Sequence, residues 1–257
     1  MAEAIIAGIL DAKLDAKIAV GEPLEPRRKS LAETYRVTVT ASNREALDGA
    51  DMAVLAVKPQ QFDDVAAELN GALRPEQTVA SIMAGVKVHS IGLKLNHRRI
   101  IRIMPNTPAQ VRQGMCVWTA TPEVPESATD FTKKMLAALG DEVRFSDEKY
   151  VDIATALSAS GPGYVFAFLE SLIDGAVQLG MPYQVARHLA TQTLLGSAAL
   201  AKESGVHPAE LKNRVTSPGG TTAAGLYALE KGGFRAATIE AVLAAHARGE
   251  ELGASGK

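Results

Sequence analysis

Cysteine is almost absent: Cys116 is the only one in 257 residues, so no internal disulfide can form and nothing points to an oxidising compartment. It lies in the apolar run Met115-Cys116-Val117-Trp118, which reads as a strand and makes the thiol a core group rather than a nucleophile. An excess of one charge is missing too. A formal net charge of −2 gives no electrostatic footprint for nucleic acid or an anionic membrane, and neither is expected as a partner. No apolar run approaches membrane-spanning length, because Ser158 to Gly163 interrupts the longest candidate. No basic segment precedes the apolar N-terminus, which Glu3 and Asp11 interrupt. No secretory leader is therefore expected, and the expected compartment is cytoplasmic. His, Cys and carboxylate side chains never cluster at metal-ligand spacing, so no metal is expected. Internal repeats and low-complexity segments are absent as well.

What remains is the composition of a globular protein with a full core, 47% hydrophobic and 22% charged. It falls into two halves with different patterning. Residues 1–146 alternate helical and extended stretches. Helical spacing covers Ala2–Lys13, Glu25–Tyr35 and Pro59–Asn70. Extended runs cover Lys17–Val20, Arg36–Thr40, Met52–Val57, Thr78–Met83 and Ile100–Met104. Strands alternating with helices predict a mostly parallel sheet covered on both faces. Residues 147–257 carry almost no strand-like run. Helical patterns occupy 147–157, 164–179, 183–203, 207–214, 222–231 and 234–248, punctuated by Gly180, Pro182, Gly205, Pro208 and Gly232-Gly233.

Polar and small residues gather where the first half's strands end: Ala56-Val57-Lys58-Pro59-Gln60, Ser81-Ile82-Met83-Ala84-Gly85 and Met104-Pro105-Asn106-Thr107-Pro108. Open α/β sheets bind ligands at their carboxyl edge. Any one such turn is ordinary, whereas three on one edge predict a ligand crevice. In the second half, Val215-Thr216-Ser217-Pro218-Gly219-Gly220-Thr221-Thr222 separates two helical patterns. Proline and two glycines make a tight turn, and a helix start with exposed amides is a ready site for a carboxylate or phosphate. The plainer reading is a helix–helix turn with a threonine N-cap.

Taken together these segments resemble pyrroline-5-carboxylate reductases, the last enzymes of proline biosynthesis. The matching stretches are Asn43, A-V-K-P-Q at 56–60, A-G-V at 84–86, M-P-N-T-P at 104–108 and L-S-A-S-G-P-G-Y at 157–164. They continue with D-G-A-V at 174–177, G-M-P at 180–182, H-P-A-E-L-K at 207–212, V-T-S-P-G-G-T-T at 215–222 and L-E-K-G-G-F-R at 229–235. The likeness runs in order from Met1 to about Arg248. It implies an α/β Rossmann-like dinucleotide-binding domain over 1–146 and an all-α substrate-binding and dimerisation domain over 147–257. One departure stands out. Family members begin with a strand and a glycine-rich turn ending G-N-M-A-E, and this sequence starts at the methionine of that motif. The first strand is thus expected to be missing, along with the turn that presents amides to a pyrophosphate.

The resemblance implies hydride transfer from a reduced nicotinamide to the C=N carbon of 1-pyrroline-5-carboxylate, giving L-proline. On that reading the amides of Gly219, Gly220 and Thr221 take the substrate carboxylate, and Thr222 Oγ1 hydrogen-bonds the ring nitrogen. Asn43 and Ala56, Val57, Lys58 and Pro59 lie along the adenosine and ribose side of the cofactor. Ile82, Met83 and Ala84 face the nicotinamide ribose, and Asn106 and Thr107 lie near the nicotinamide. Lys58 reads as a cofactor contact or a solvated chain, and His207 as a helix-start residue. In the turn after the second family strand, Glu22 favours the 2′-hydroxyl of NAD, while Arg27 and Arg28 favour the 2′-phosphate of NADP. NADP(H) is set ahead of NAD(H), with solvated arginines on a helix start as the alternative. A homodimer is expected, open to further stacking into a ring.

β-Hydroxyacid dehydrogenases share the architecture but use a lysine on the first long helix of the second domain. No lysine occurs here between Lys149 and Lys202. The other alternative is a catalytically impaired, truncated homologue acting only as a helical oligomerisation module.

Overall fold

A computed structural model describes residues 1–255 of the chain, so Gly256 and Lys257, the end of the 147–257 half, lie outside the described residues. The chain divides into two compact units. One comprises Met1–Ser160 together with the stretch from Ala244 onward, and the other is Gly161–Leu243.

In the first unit, helix α1 (Ala2–Asp11) leads to strand β1 (Ala19–Gly21), α2 (Glu25–Tyr35), β2 (Thr38–Thr40) and the short α3 (Asn43–Leu47). Then come β3 (Met52–Leu55), a 3₁₀ turn at Pro59–Gln61, α4 (Phe62–Leu69), β4 (Thr78–Ser81), α5 (Val88–Leu95) and β5 (Ile100–Met104). A second 3₁₀ turn at Thr107–Val111 precedes β6 (Gly114–Ala120), α6 (Glu126–Ala137), β7 (Gly140–Arg144) and α7 (Lys149–Ala154), which runs into a π-helical turn at Thr155–Ala159. The strands form two sheets. β1 and β2 pair in parallel by themselves, and the five-stranded sheet has the order β3-β4-β5-β6-β7, parallel except between β5 and β6. Among the described residues neither β1 nor β3 has a second neighbour, and Val54 on β3 is 36% exposed.

Two-residue periodicity sends β4 and β5 side chains into separate cores. Ala80, Ile101 and Ile103 meet Ile5 and Ile9 of α1, Trp118 of β6, and Met135 and Leu136 of α6. Val79 and Ile100 meet Phe62, Ala66 and Leu69 of α4 and Ile91 and Leu95 of α5. Full burial of such side chains stabilises by roughly 1.5–3 kcal/mol each.

One charged group interrupts this apolar packing. Arg102 in the middle of β5 is fully buried. Its Nη1 donates to Glu148 Oε1 and its Nη2 to Asp152 Oδ1, both at 2.7 Å, while Nε has no partner among the described residues. Glu148 Oε1 also accepts the Val88 amide at 2.8 Å. A single buried guanidinium thereby ties β5 to the start of α5 and to α7. A charge this deep is tolerated because both carboxylates pair with it.

The second unit is helical throughout: α8 (Gly161–Gln178), α9 (Tyr183–Ser204), α10 (Pro208–Arg214), α11 (Thr221–Lys231) and the first part of α12 (Phe234–Ser255). Gly205 ends α9 with φ 62°, and Pro208 opens α10 after His207, whose Nδ1 accepts the Ala209 amide at 3.2 Å. Phe168 and Phe234 pack with ring centroids 5.5 Å apart. Ile173 and Ala186 are the only buried hydrophobic residues of this unit among the described residues, whereas Phe166, Leu179, Leu195, Tyr227 and Leu243 are exposed. Helices with so many uncovered apolar side chains need a further surface against them.

Candidate active site

Register places the ends of three strands on one edge. Leu55 is opposite Ser81, and Ser81 is opposite Arg102, so the segments that follow β3, β4 and β5 all leave the carboxyl end of the sheet. After β3, Ala56, Lys58 and Pro59 are exposed and Val57 is half-buried against the second core. The Lys58 amide donates to Gln61 Oε1 at 3.3 Å and its carbonyl accepts the Gln61 amide at 2.9 Å, closing the 3₁₀ turn. After β4, the Ile82 amide extends the ladder to the Leu55 carbonyl at 3.1 Å, and buried Ser81 Oγ accepts the Met83 amide at 3.3 Å. The Met83 side chain is buried in the second core, leaving its backbone for the edge, and Ala84 is exposed. Gly85 then turns the chain with φ +75°, a conformation open to glycine.

After β5, the amide of Asn106 is fully engaged. Its Oδ1 accepts the Met115 amide at 2.8 Å, and its Nδ2 donates to the Ser158 carbonyl at 3.2 Å, inside the π-helical turn. Asn106 thus braces the strand end to residues 155–159. Thr107 follows it on the exposed surface. Wide π turns leave carbonyls free for such side-chain donors and recur at functional sites.

The small sheet adds a fourth edge. Gly21 closes β1, and a Cβ built there would sit 2.5 Å from Asn43 Oδ1. Only glycine allows that approach. Asn43 opens α3 after the N-cap Ser42, whose Oγ accepts the Glu45 amide at 3.3 Å. Arg28 Nη1 donates to the carbonyls of Glu22 and Pro23, both at 2.7 Å, and so holds the turn after β1. Arg27 Nη1 lies 3.0 Å from Glu3 Oε1 on α1. Both arginines are therefore engaged with the protein.

In the second unit, the Gly220 amide donates to the Ser217 carbonyl at 3.0 Å and Gly219 has φ +69°. A Cβ at Gly220 would lie 2.4 Å from Ser217 Oγ. Gly220, with φ −79° and ψ 171°, is the N-cap of α11, and no side chain caps this helix. Thr221 and Thr222 are thus the first and second helical residues rather than the cap, Thr221 exposed and Thr222 half-buried. An uncapped N-terminus concentrates donor amides and the positive end of the helix dipole.

Two contributors were not legible as site residues. Glu68, on α4, holds Asn43 through two hydrogen bonds. Ser158 holds Asn106. Ser158 lies in the L-S-A-S-G-P-G-Y stretch at 157–164, but nothing in that stretch says that it meets Asn106, and Glu68 belongs to no motif. Among the described residues, no group of three or more His, Cys, Asp and Glu is placed to hold a metal ion, and no helix is long and apolar enough to cross a membrane.

Comparison with known proteins gives a consistent result. Residues 148–252 match the family described as pyrroline-5-carboxylate reductase dimerisation, and residues 1–85 match NADP oxidoreductase coenzyme F420-dependent. The chain is 47% identical over 256 residues to a pyrroline-5-carboxylate reductase of Synechocystis, covering 98% of this chain and 95% of that protein. Two solved structures share the whole fold. A pyrroline-5-carboxylate reductase from Coxiella burnetii is 35% identical with a TM-score of 0.89, and the Plasmodium falciparum pyrroline carboxylate reductase with NADP bound is 30% identical with a TM-score of 0.88. Each alignment covers 98% of this chain and 94% of the other.

Proposed function

The chain belongs to the pyrroline-5-carboxylate reductase family, and we propose that it reduces 1-pyrroline-5-carboxylate to L-proline with a reduced nicotinamide dinucleotide. The observation that carries this reading is the start of α11: two glycines and two threonines at a helix N-terminus that no side chain caps. The amides of Gly219 and Thr221 bind the substrate carboxylate, where the helix dipole favours negative charge, and the Gly220 amide joins them by leaving the Ser217 carbonyl. Thr222 Oγ1 hydrogen-bonds the ring nitrogen and orients the imine. A protonated cyclic imine is already a good hydride acceptor, so these residues position the ring and need no strong base.

The strand edges of the first unit fit a dinucleotide. Ala56 and Ala84 are exposed at these strand ends, where small side chains let a flat ligand come close to the backbone. Asn43, Ala56, Val57, Lys58 and Pro59 would hold the adenosine side, Ile82, Met83 and Ala84 the nicotinamide ribose, and Thr107 the nicotinamide, with Asn106 bracing that strand end. When bound, the reduced nicotinamide supplies the hydride. NADP(H) is favoured over NAD(H) because Arg27 and Arg28 lie beside the turn after β1. Arg27 must leave Glu3 to reach a 2′-phosphate. Residues 1–146 form the cofactor domain in this reading and residues 147–257 the substrate and dimerisation domain. The protein works as a homodimer, open to further stacking into a ring, in the cytoplasm.

The function itself is tested by adding 1-pyrroline-5-carboxylate and NADPH and identifying the product. L-proline formed together with NADP is expected, whereas NADPH oxidation without proline would reject the assignment.

A further inference from the structure

Asn43 is gripped by a single carboxylate. Its backbone N–H donates to Glu68 Oε1 at 2.8 Å, and its Nδ2 donates to Glu68 Oε2 at 2.6 Å. An ionised carboxylate only accepts hydrogen bonds. The amide nitrogen of Asn43 must therefore face Glu68, and its carbonyl oxygen must point the other way. That oxygen lies over Gly21, 2.5 Å from where a Cβ would be, at the carboxyl end of β1. The grip is itself anchored. Arg44, the next residue, donates from Nε to the Glu68 carbonyl and from Nη2 to the Asn70 carbonyl at 3.1 Å. So α3 and the last turn of α4 are locked together, with Asn43 presenting a fixed acceptor at the sheet edge.

We propose that Glu68 is a positioning residue for the cofactor: it sets the Asn43 amide so that Oδ1 accepts a hydrogen bond from an adenosine ribose hydroxyl. This rests on the reading that the Asn43 edge holds the adenosine ribose. The fixed amide meets that hydroxyl as an acceptor in a single orientation, without the entropy lost in ordering the side chain at binding, whereas a reversed amide would set N–H groups against the hydroxyl's own hydrogen.

Glu68→Gln separates positioning from packing. Glutamine keeps the size of the side chain and one acceptor for the Asn43 amide. Its own NH2 group, however, faces the Asn43 Nδ2 as donor against donor and turns the Asn43 amide over. NADPH affinity is measured by fluorescence titration of the full chain, alongside the melting temperature and the side-chain amide signals of ¹⁵N-asparagine-labelled protein. Glu68→Gln should weaken NADPH binding roughly three- to tenfold, the weight of about one hydrogen bond. It should also shift the Asn43 side-chain signals and leave the melting temperature unchanged. Wild-type affinity in Glu68→Gln, or Asn43 signals that do not move, overturns the proposal. Asn43→Ala provides the control. If it binds NADPH like the wild type while Glu68→Gln still displaces the Asn43 signals, the ribose reading has failed and the grip of Glu68 on Asn43 has not.

Discussion

Removing the Thr222 hydroxyl should reduce turnover without disturbing the fold. Thr222 is the second residue of α11 and half-buried, and Gly220 rather than a threonine caps the helix. No helix cap is lost when its hydroxyl goes, and alanine is the better helix former by up to about 0.7 kcal/mol. The expected loss lies in the reaction. A hydrogen bond to a charged imine is worth about 1.5–3 kcal/mol, which corresponds to a roughly ten- to hundredfold fall in kcat/KM for Thr222→Ala. Thr222→Val, which keeps the shape and discards the hydroxyl, should fall as far, and Thr222→Ser should recover most of the rate. Thr221→Ala should change little, because that side chain is exposed and only its backbone is assigned to the carboxylate. The assay is steady-state reduction of 1-pyrroline-5-carboxylate, with melting temperatures as the control for folding. Wild-type kcat/KM in Thr222→Val, or a larger loss at Thr221 than at Thr222, would refute the assignment.

Around Arg102 the two sides of the ion cluster should respond unequally, because the guanidinium is fully buried while Glu148 and Asp152 are 28% and 23% exposed. Arg102→Met lets both carboxylates rehydrate. Glu148→Gln with Asp152→Asn strands a buried charge and should cost about 3–5 kcal/mol, a roughly 6–20 °C lower Tm; the reverse order in thermal unfolding would contradict this. Burial first, and the nearby Glu142 carboxylate second, push the Cys116 thiol up from 9.0 to about 12. The unfolded chain therefore loses this proton first. The contribution to stability is intact below pH 9.0 and lost as pH rises towards about 12, and Cys116→Ala should remove that part of the alkaline decline in unfolding curves. Light scattering at micromolar concentration should show a dimer or larger, since Gly161–Leu243 buries so few apolar side chains of its own; a stable monomer would contradict it.

The helices of the second unit were legible because their apolar residues recur at helical spacing between glycine and proline stops. The structure extends the last of them to Ser255. In the first unit, two strands were read long at their carboxyl ends, since Met52–Val57 became Met52–Leu55 and Thr78–Met83 became Thr78–Ser81, while Arg36–Thr40 and Lys17–Val20 were read too early at their amino ends, becoming Thr38–Thr40 and Ala19–Gly21. At the two carboxyl ends the difference is the turn itself, where apolar Val57 and Met83 continue the pattern while the backbone has left the ladder. α3, with five residues, is too short to show a period, and α5, α6 and β7 did not stand out. The helix expected over 147–157 divides into Lys149–Ala154 and a π turn, since hydrophobic spacing does not distinguish hydrogen bonds one residue wider. At the substrate loop, residue preference favoured a threonine cap. Gly219, at φ +69°, turns the chain so that Gly220 takes that position. The motif loops were thus readable, whereas the contacts that support them were not: Glu68 belongs to no motif, and Ser158, within the 157–164 stretch, gives no sign that it meets Asn106.

The most direct measurement of the hydride-transfer assignment is isotopic. The protein is supplied with NADPH deuterated at the transferable position of the nicotinamide and with 1-pyrroline-5-carboxylate, and the proline is examined by mass spectrometry and NMR. The expected result is one deuterium per molecule of L-proline, on the ring carbon next to nitrogen and remote from the carboxylate. Proline lacking the label, or no proline at all from a chain that binds both ligands, would contradict it.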